Sequence, residues 1–475
     1  GNFSHTYRGW MYPCPTLNEK KDMGTEKLSL ATVVISFALA LIPAVYQTIK
    51  TLLISETVQS GAFDIIGHME WFDLIDETLQ AFLIIPLYSV LNRIFKNHRD
   101  EFAGAAFKTG LCTLLLYTLF SVGVLLYGNV LIGAMSPGEI DIAVTSTYLR
   151  LETIAFMPGI VTSFANAVFV VIGKDKNMYI FLAVRMVLSL LADLLLMPVL
   201  GVYGIAISNI VTNILLSSAC ILLLYKQGYI RFCRFGRSDR IMFRDWLRTG
   251  VFSGFQQFVD NFIYAVMVCK MVNMVAEQGN YWNANNFIWG WLLIPLTALA
   301  EVIRSDCKDG YQELKQFNYY FIAAASVVLW AVTVPTWTPF FHVAQGLENA
   351  GEIFAIVIRL VPFYIAYAGC VIIDNIFVGL GKTGYNAVNS LIINLGYYGV
   401  FYVLYLTHTI TFTMNTIILM FGFGMVVHYA VSVIEEKVFF KRTLHSGQKA
   451  AECSTRLSQG VIPIITDKRD RRPVS

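Results

Sequence analysis

The sequence predicts an all-α membrane protein: twelve transmembrane helices in two pseudo-symmetric six-helix halves. Composition is the first ground. The chain of 475 residues is 56% hydrophobic and only 14% charged, with a mean hydropathy of +0.59, whereas soluble domains carry about 25% charged residues. The second ground is layout, because the apolar residues fall in runs long enough to cross a bilayer. The third is an internal repeat. Arg150-Leu151 and Arg359-Leu360 open similar segments 209 positions apart, and Phe169-Val170-Val171-Ile172-Gly173-Lys174 is echoed 208 positions on by Phe377-Val378-Gly379-Leu380-Gly381-Lys382. Leu83-Ile84-Ile85-Pro86-Leu87 returns as Leu292-Leu293-Ile294-Pro295-Leu296, again 209 apart. Three motifs at nearly one offset point to two related halves.

Taken in order, residues 1–27 are polar and aromatic and are expected to form a cytoplasmic segment without the pattern of a signal peptide. Spans follow at about 28–54, 72–95, 107–134, 148–173, 177–198 and 201–225, and these make the first half, 28–225. A basic segment, 226–246, joins it to the second half, 247–440, with spans at about 247–275, 283–305, 317–340, 354–380, 385–407 and 411–440. Each span must be helical, since lipid offers no partner to an unpaired backbone group. The tail 441–475 is polar and basic and is expected to be disordered.

Orientation follows from Lys and Arg. The connections 55–70, 135–147, 276–286 and 338–352 contain neither, while Arg93, Lys96, Arg99, Lys174, Lys176, Arg304, Lys308 and Lys382 collect on the other side with both termini. By the positive-inside rule that side is cytoplasmic. The joining segment has Arg231, Arg234, Arg237, Arg240 and Arg244 at helical spacing. On one helix they form a basic stripe suited to anionic lipid headgroups; a solvated linker is the competing reading.

The net charge of +3 gives no reason to expect a nucleic-acid partner. Eight cysteines are scattered singly and seven histidines are isolated, so neither a zinc site, a disulfide framework nor an enzymatic constellation is indicated.

Charges inside the spans are the sharper signal, because each costs roughly 2.5–3.5 kcal/mol at a helix centre by insertion scales. Span seven carries Gln256, Gln257, Asp260 and Asn261, and span ten carries Asp374 and Asn375. Shifted back by 208, Asp374 falls on Asn166 of span four. Lys50, with Gln47 a turn before it, lies in span one, while Arg185 and Asp193 share span five. A Lys50–Asp260 or a Lys50–Asp193 pair would offset one charge with another, and ion pairs that only fix helix packing are the alternative. His428 reads as a buried histidine with a hydrogen-bond partner. Acidic residues at the uncharged-loop side, among them Glu70, Asp73, Asp76, Glu77 and Glu152, read as an outward vestibule or as the residue types left where Lys and Arg are excluded.

With these residues in view the chain resembles the multidrug and toxic compound extrusion (MATE) transporters of the multidrug/oligosaccharidyl-lipid/polysaccharide flippase superfamily. The resemblance covers about 28–440. It rests on the two six-span halves, the Gly-Lys ends of spans four and ten, and Leu200-Gly201-Val202-Tyr203-Gly204-Ile205-Ala206-Ile207, which looks like the family's Gly-x-x-Gly-Ala-Ala pattern entering span six. Asp193 sits where many members have an acidic residue late in span five. The resemblance implies a monomeric antiporter of the plasma membrane with a V-shaped central cavity. No cofactor is implied beyond the coupling ion, proton or sodium, whose entry drives expulsion of small organic, often cationic, compounds. It assigns Asp260 to the coupling position of span seven, although Gly250-Val251-Phe252 lacks the proline that one branch has there. Val58 stands near the position where another branch uses an Asp late in span one, with Glu56 only nearby. Asp374 lies a few residues beyond the usual span-ten position. A sodium ion needs several oxygens, and Asp260, Asp374, Gln256 and Asn375 are the candidates. Lys50 and Arg185 depart from an exporter of cations, and they fit either internal counter-ions or a flippase for an anionic or lipid-linked substrate.

Overall fold

A computed structural model describes residues 30–58, 61–136, 141–236, 239–275, 278–307 and 313–458. The expected segment 1–27 therefore lies outside the described residues. Among those described, the regular structure is helical throughout.

In the first half, α1 (Leu30–Thr57) is followed by a short helix (Ala62–Gly67), α2 (Glu70–Leu83), α3 (Ile85–Asn97), α4 (Phe102–Met135), α5 (Ile142–Val171), α6 (Asp175–Leu200) and α7 (Val202–Lys226). In the second half come α8 (Asp239–Ile263), α9 (Gln278–Phe287), α10 (Ile294–Asp306), α11 (Glu313–Pro339), α12 (Ala350–Gly379), α13 (Gly384–Leu391), α14 (Gly399–Leu406) and α15 (Met414–Ser458). Helices cover every apolar segment. Among the described residues nine helical stretches are long and apolar enough to cross a membrane, ten with the bent pair α9–α10. The chain is thus a multi-pass membrane protein. α1 and α8 stand outside that count, so twelve crossings rest on the sequence pattern.

The repeat has a physical counterpart at two of its three motifs. At the Gly-Lys ends of α5 and α12, the amide of Lys174 donates to the Phe169 carbonyl and that of Lys382 to the Phe377 carbonyl, both at 2.8 Å. Gly173 and Gly381 take φ of 71° and 68°, left-handed values that close a helix and that glycine adopts without a Cβ penalty. At the Leu-x-Ile-Pro-Leu motifs the helix breaks twice, between α2 and α3 and between α9 and α10, the latter by 52°. Pro86 and Pro295 lack the N–H that a continuous helix needs. The carbonyls left over at Leu83 and Leu292 accept from the Trp246 and Trp330 indoles at 3.0 and 2.7 Å.

The halves differ elsewhere. Four π-helical turns, Tyr264–Cys269, Ile288–Leu292, Phe340–Ala344 and Ile392–Tyr398, lie in the second half. Such turns insert a residue into the helical ladder and recur at functional positions.

Contacts between the halves run through several helix pairings, among them the short helix Ala62–Gly67 against α9. α1 packs on α10, and α8 packs along α2 and α3. A continuous apolar core joins Trp71 and Phe72 of α2 to Val268, Tyr281 and Ile372. A second cluster, with Leu87, Phe102, Phe169 and Trp246, fills the basic-loop end of the first half.

Two expectations are corrected. The five arginines of the joining segment do not share a helix. Residues 231–236 are non-helical after Gly228 turns the chain at φ 76°, and the Arg231 amide is tied to the Ala103 carbonyl at 3.2 Å. Only Arg240 and Arg244 are on α8, and Arg237 lies outside the described residues. The tail 441–475, expected to be disordered, begins as the helical continuation of α15 to Ser458, and 459–475 lies outside the described residues.

Candidate functional site

A cavity of about 420 Å³ opens where α1 crosses the second half. α1 contributes Pro43, Ala44 and Gln47; α10 with the turn before it contributes Trp289 and Arg304; α12 contributes Tyr367, Asp374 and Asn375; α13 and α15 add Asn386 and His428. Its walls are mainly apolar with a few convergent polar groups, the usual make-up of a small-molecule site.

The polar groups are held by one another. Arg304 sits one helical turn after Glu301 and donates to it at 3.0 Å, and its Nε donates to Asn375 Oδ1 at 2.5 Å. Asn375 in turn donates to the Val371 carbonyl at 2.6 Å. Asp374 meets His428 Nε2 at 3.0 Å through one oxygen and accepts from the Ser432 hydroxyl at 3.0 Å through the other. The cavity therefore presents one fixed guanidinium and one carboxylate–imidazole pair along with the aromatic rings of Trp289 and Tyr367.

Other sequence-derived candidates lie elsewhere. Asp260 does not line this cavity. Its carboxylate accepts from Ser390 and, at 3.3 Å, from Asn394 Nδ2, so α8 is pinned to α13 and the π turn that follows. Gln257 donates to Asn261 at 2.9 Å, and Asn261 donates to the Leu74 carbonyl at 3.1 Å and to Glu77 at 3.2 Å. Asn261, with Gln257 bonded to it, thus faces α2 rather than the cavity; the Gln256 side chain lies outside the description. Lys50 is 5% exposed and pairs with fully buried Asp193 at 3.7 Å, not with Asp260. Arg185 is half-buried on α6, within the electrostatic reach of Lys50 and Asp76. Asn166 is half-buried on α5 with its carbonyl oxygen unbonded, away from the cavity.

Sodium held jointly by Asp260 and Asp374 meets a geometric obstacle, because the two carboxylates have separate partners and Asp374 has both oxygens engaged. Among the described residues no three His, Cys, Asp or Glu side chains come together as a metal site. Asp260, with the Ser390 hydroxyl and the Asn394 amide beside it, is what remains of that donor set.

His428, read from the sequence as a buried histidine with a hydrogen-bond partner, has that partner in Asp374. Sequence reasoning missed two features. Arg304 reads as a loop cation until Glu301 and Asn375 turn it inward. Of the acidic residues read as an outer vestibule, Glu70, Asp73, Glu77 and Glu152 are internal, each under one-tenth exposed, whereas Glu56, Asp141, Glu348 and Glu352 are exposed. Glu152 accepts from Asn209 at 2.9 Å, and Asp76 accepts from Tyr117 and Gln80. The spacing of Glu70, Asp73 and Glu77 by three and four was the available clue to one buried helix face.

A polytopic helical membrane protein with an internal polar cavity is the class this arrangement defines. Its fold is that of the MATE transporters of the MOP superfamily. An inward-facing multidrug resistance MATE transporter superposes with a TM-score of 0.69 at 14% identity, over 88% of this chain and 99% of that one. An outward-facing one gives 0.58, also at 14% identity, over 86% and 96%. The lipid II flippase MurJ, in an inward closed conformation, gives 0.64 at 11% identity, over 85% and 87%. No family model and no curated protein matches the sequence.

Proposed function

We propose that the protein is a cation-coupled antiporter, driven by protons or sodium, that exports small organic compounds of cationic or amphipathic character by alternating access. It does so as a monomer in the plasma membrane, with twelve spans, both termini cytoplasmic, and two six-helix lobes flanking a V-shaped central cavity. The observation that carries the reading is the cavity between α1 and the second half, where Asp374 faces Trp289 and Tyr367. Aromatic faces attract organic cations, and a carboxylate beside them supplies the counter-charge. Asp260 and Asp374 are the coupling groups. Each is a carboxylate inside a span that trades hydrogen bonds with neutral partners rather than a fixed cation. Transport, not catalysis, is the activity, and the basic residues 226–248 rest on anionic headgroups.

The test is reconstitution in proteoliposomes with ethidium as probe, under an imposed proton or sodium gradient. Asp260→Asn and Asp374→Asn are expected to abolish gradient-driven ethidium movement. Full activity in both variants would refute the assignment.

A second reading has its own support. Arg304 puts a guanidinium in the cavity wall, and a lipid flippase shares the fold. A substrate bearing phosphate or carboxylate would dock there, with Lys50 and Arg185 as the further cations. Loss of transport in Arg304→Gln and Lys50→Ala, with Asp260→Asn active, selects this reading.

A further inference from the structure

The last helix carries a buried group that the cavity chemistry does not use. Glu435 is 8% exposed, and neither of its carboxylate oxygens has a hydrogen-bond partner. A partnerless buried carboxylate costs several kcal/mol when ionised and much less as a neutral acid. α15 places it with chemically related company. His428, Ser432 and Glu435 stand at i, i+4 and i+7, one face of the helix. His428 lines the cavity, and Ser432 is fully buried beneath it. The Ser432 hydroxyl donates to Asp374 and accepts from Asn389 Nδ2 at 2.7 Å.

We propose that Asp374, His428 and Glu435 form a proton-carrying site that runs from the cavity into the second half along α15. The inference rests on the antiporter reading and deepens it: the coupling ion at this place is a proton, and it is held by an imidazole and two carboxyl groups. One proton entering from the cavity is taken by the neutral imidazole of His428, which becomes an imidazolium against ionised Asp374. Glu435 holds the second exchangeable proton at the buried end. Ser432 links the two, since rotation of its hydroxyl transfers its donated hydrogen bond from Asp374 toward Glu435. Charge balance favours the loaded form, because protonated His428 neutralises Asp374 where a cationic substrate would otherwise pair with it. Proton and substrate then compete for one carboxylate, which is the exchange that antiport requires.

The surroundings carry few rivals. α12 contributes Asp374, the Cys370 thiol and Tyr367. α13 offers the amides of Asn386 and Asn389, with Tyr385 stacked on Phe377. Of the charged residues on α10, Arg304 lines the cavity and is paired with Glu301. α1 faces it with Gln47, since Lys50 is paired with Asp193. On α15 itself Glu436 is bonded to Gln316 of α11 and Lys437 is exposed. Among the described residues, the ionisable groups whose fields reach Glu435 are Asp374 and His428.

Infrared difference spectroscopy of the full chain in nanodiscs, after a pH jump, reads the site without a substrate. The wild type is expected to show the carbonyl stretch of a buried protonated acid at neutral pH and an imidazole band that changes on acidification. Glu435→Gln should remove the first and keep the second, and His428→Gln should remove the second. Glu435→Asp should restore an acid band at shifted frequency, and thermal unfolding of each variant checks that it is folded. An acid band unchanged in Glu435→Gln, or an imidazole band unchanged in His428→Gln, overturns the proposal. The ethidium assay separates the two readings. Bands that respond as expected without any gradient-driven ethidium movement would remove the antiporter reading and leave the proton site standing. Ethidium transport with unaltered bands would do the reverse.

Discussion

At the scale of the residue, the energetics of this chain turn on charges set where water is scarce. Lys50 and Asp193 illustrate the asymmetry. The pair contributes little net stability, because desolvating both ions consumes most of their attraction, yet removing one partner strands the other. Asp193 is fully buried and makes no hydrogen bond besides, so its charge depends on the ammonium 3.7 Å away. Lys50→Met should therefore destabilise the protein by about 3–5 kcal/mol, read as a lower midpoint of thermal unfolding in detergent. Lys50→Met with Asp193→Asn should recover most of the loss. A single variant as stable as the wild type would mean that Asp193 is neutral in the native protein. Both residues stood out in the sequence as charges inside apolar runs, and Lys50–Asp193 was one of two pairings their depths allowed. Asp260 was the other, and depth alone could not separate them. Which way a helix face turns depends on neighbours far away in sequence; Asp260 turns to Ser390 and Asn394 on a helix 130 positions later.

At the scale of the element, what was legible is what the backbone itself encodes. The Gly-Lys pairs mark helix ends because glycine alone enters the left-handed region cheaply, and the Pro motifs mark breaks because proline removes a donor. The arginines of 226–246 misled for the complementary reason. Spacing of three and four implies a stripe only if the segment is helical, and Gly228 and Gly236 interrupt it. What holds that segment is a tether. Lys108 donates to both oxygens of Asp239 at 2.8 Å, and the Gly236 amide donates to the same carboxylate at 2.6 Å. Partial burial pushes the Asp239 carboxyl up, but the Lys108 and Gly236 hydrogen bonds outweigh it and hold it below the ordinary aspartate range. A carboxyl lowered in the folded state lends stability that is complete above its unfolded value, about 3.9, and that fades as pH falls through the folded value. Acidification below about pH 4 should loosen residues 236–245, seen as faster amide hydrogen exchange there than in α4. Lys108→Met should raise exchange at neutral pH and flatten that acid dependence. Exchange indifferent to both changes would show that the tether is not what orders the segment.

At the scale of the whole molecule, the transport proposed above needs two packed halves that can part. The halves meet at the end away from the basic loops through a small set of contacts between the short helix Ala62–Gly67 and α9. The Asp64 carboxylate accepts from the Gly279 amide at 2.8 Å, and its backbone carbonyl accepts from Gln278 Nε2 at 2.6 Å. Nearby, Asn280 donates to Glu352 at 2.8 Å. The approach is close because two glycines allow it. A Cβ on Gly279 would stand 2.7 Å from an Asp64 oxygen and 3.0 Å from the Phe63 carbonyl carbon, and one on Gly67 would stand 2.5 Å from Trp282. These contacts hold the two halves shut at that end. Under the proposed alternating access they must part. Gly279→Ala should act as a wedge, since its nearest neighbours include backbone atoms that cannot swing aside, and overpacking of this kind costs about 1–3 kcal/mol. A penalty of that size confined to the shut state moves an equilibrium between shut and open by roughly five- to over a hundredfold. Distances between spin labels on the two outer segments should lengthen in Gly279→Ala, while the helix content of the protein stays unchanged. A distance distribution identical to that of the wild type would mean that these contacts follow the closure of the outer side instead of holding it.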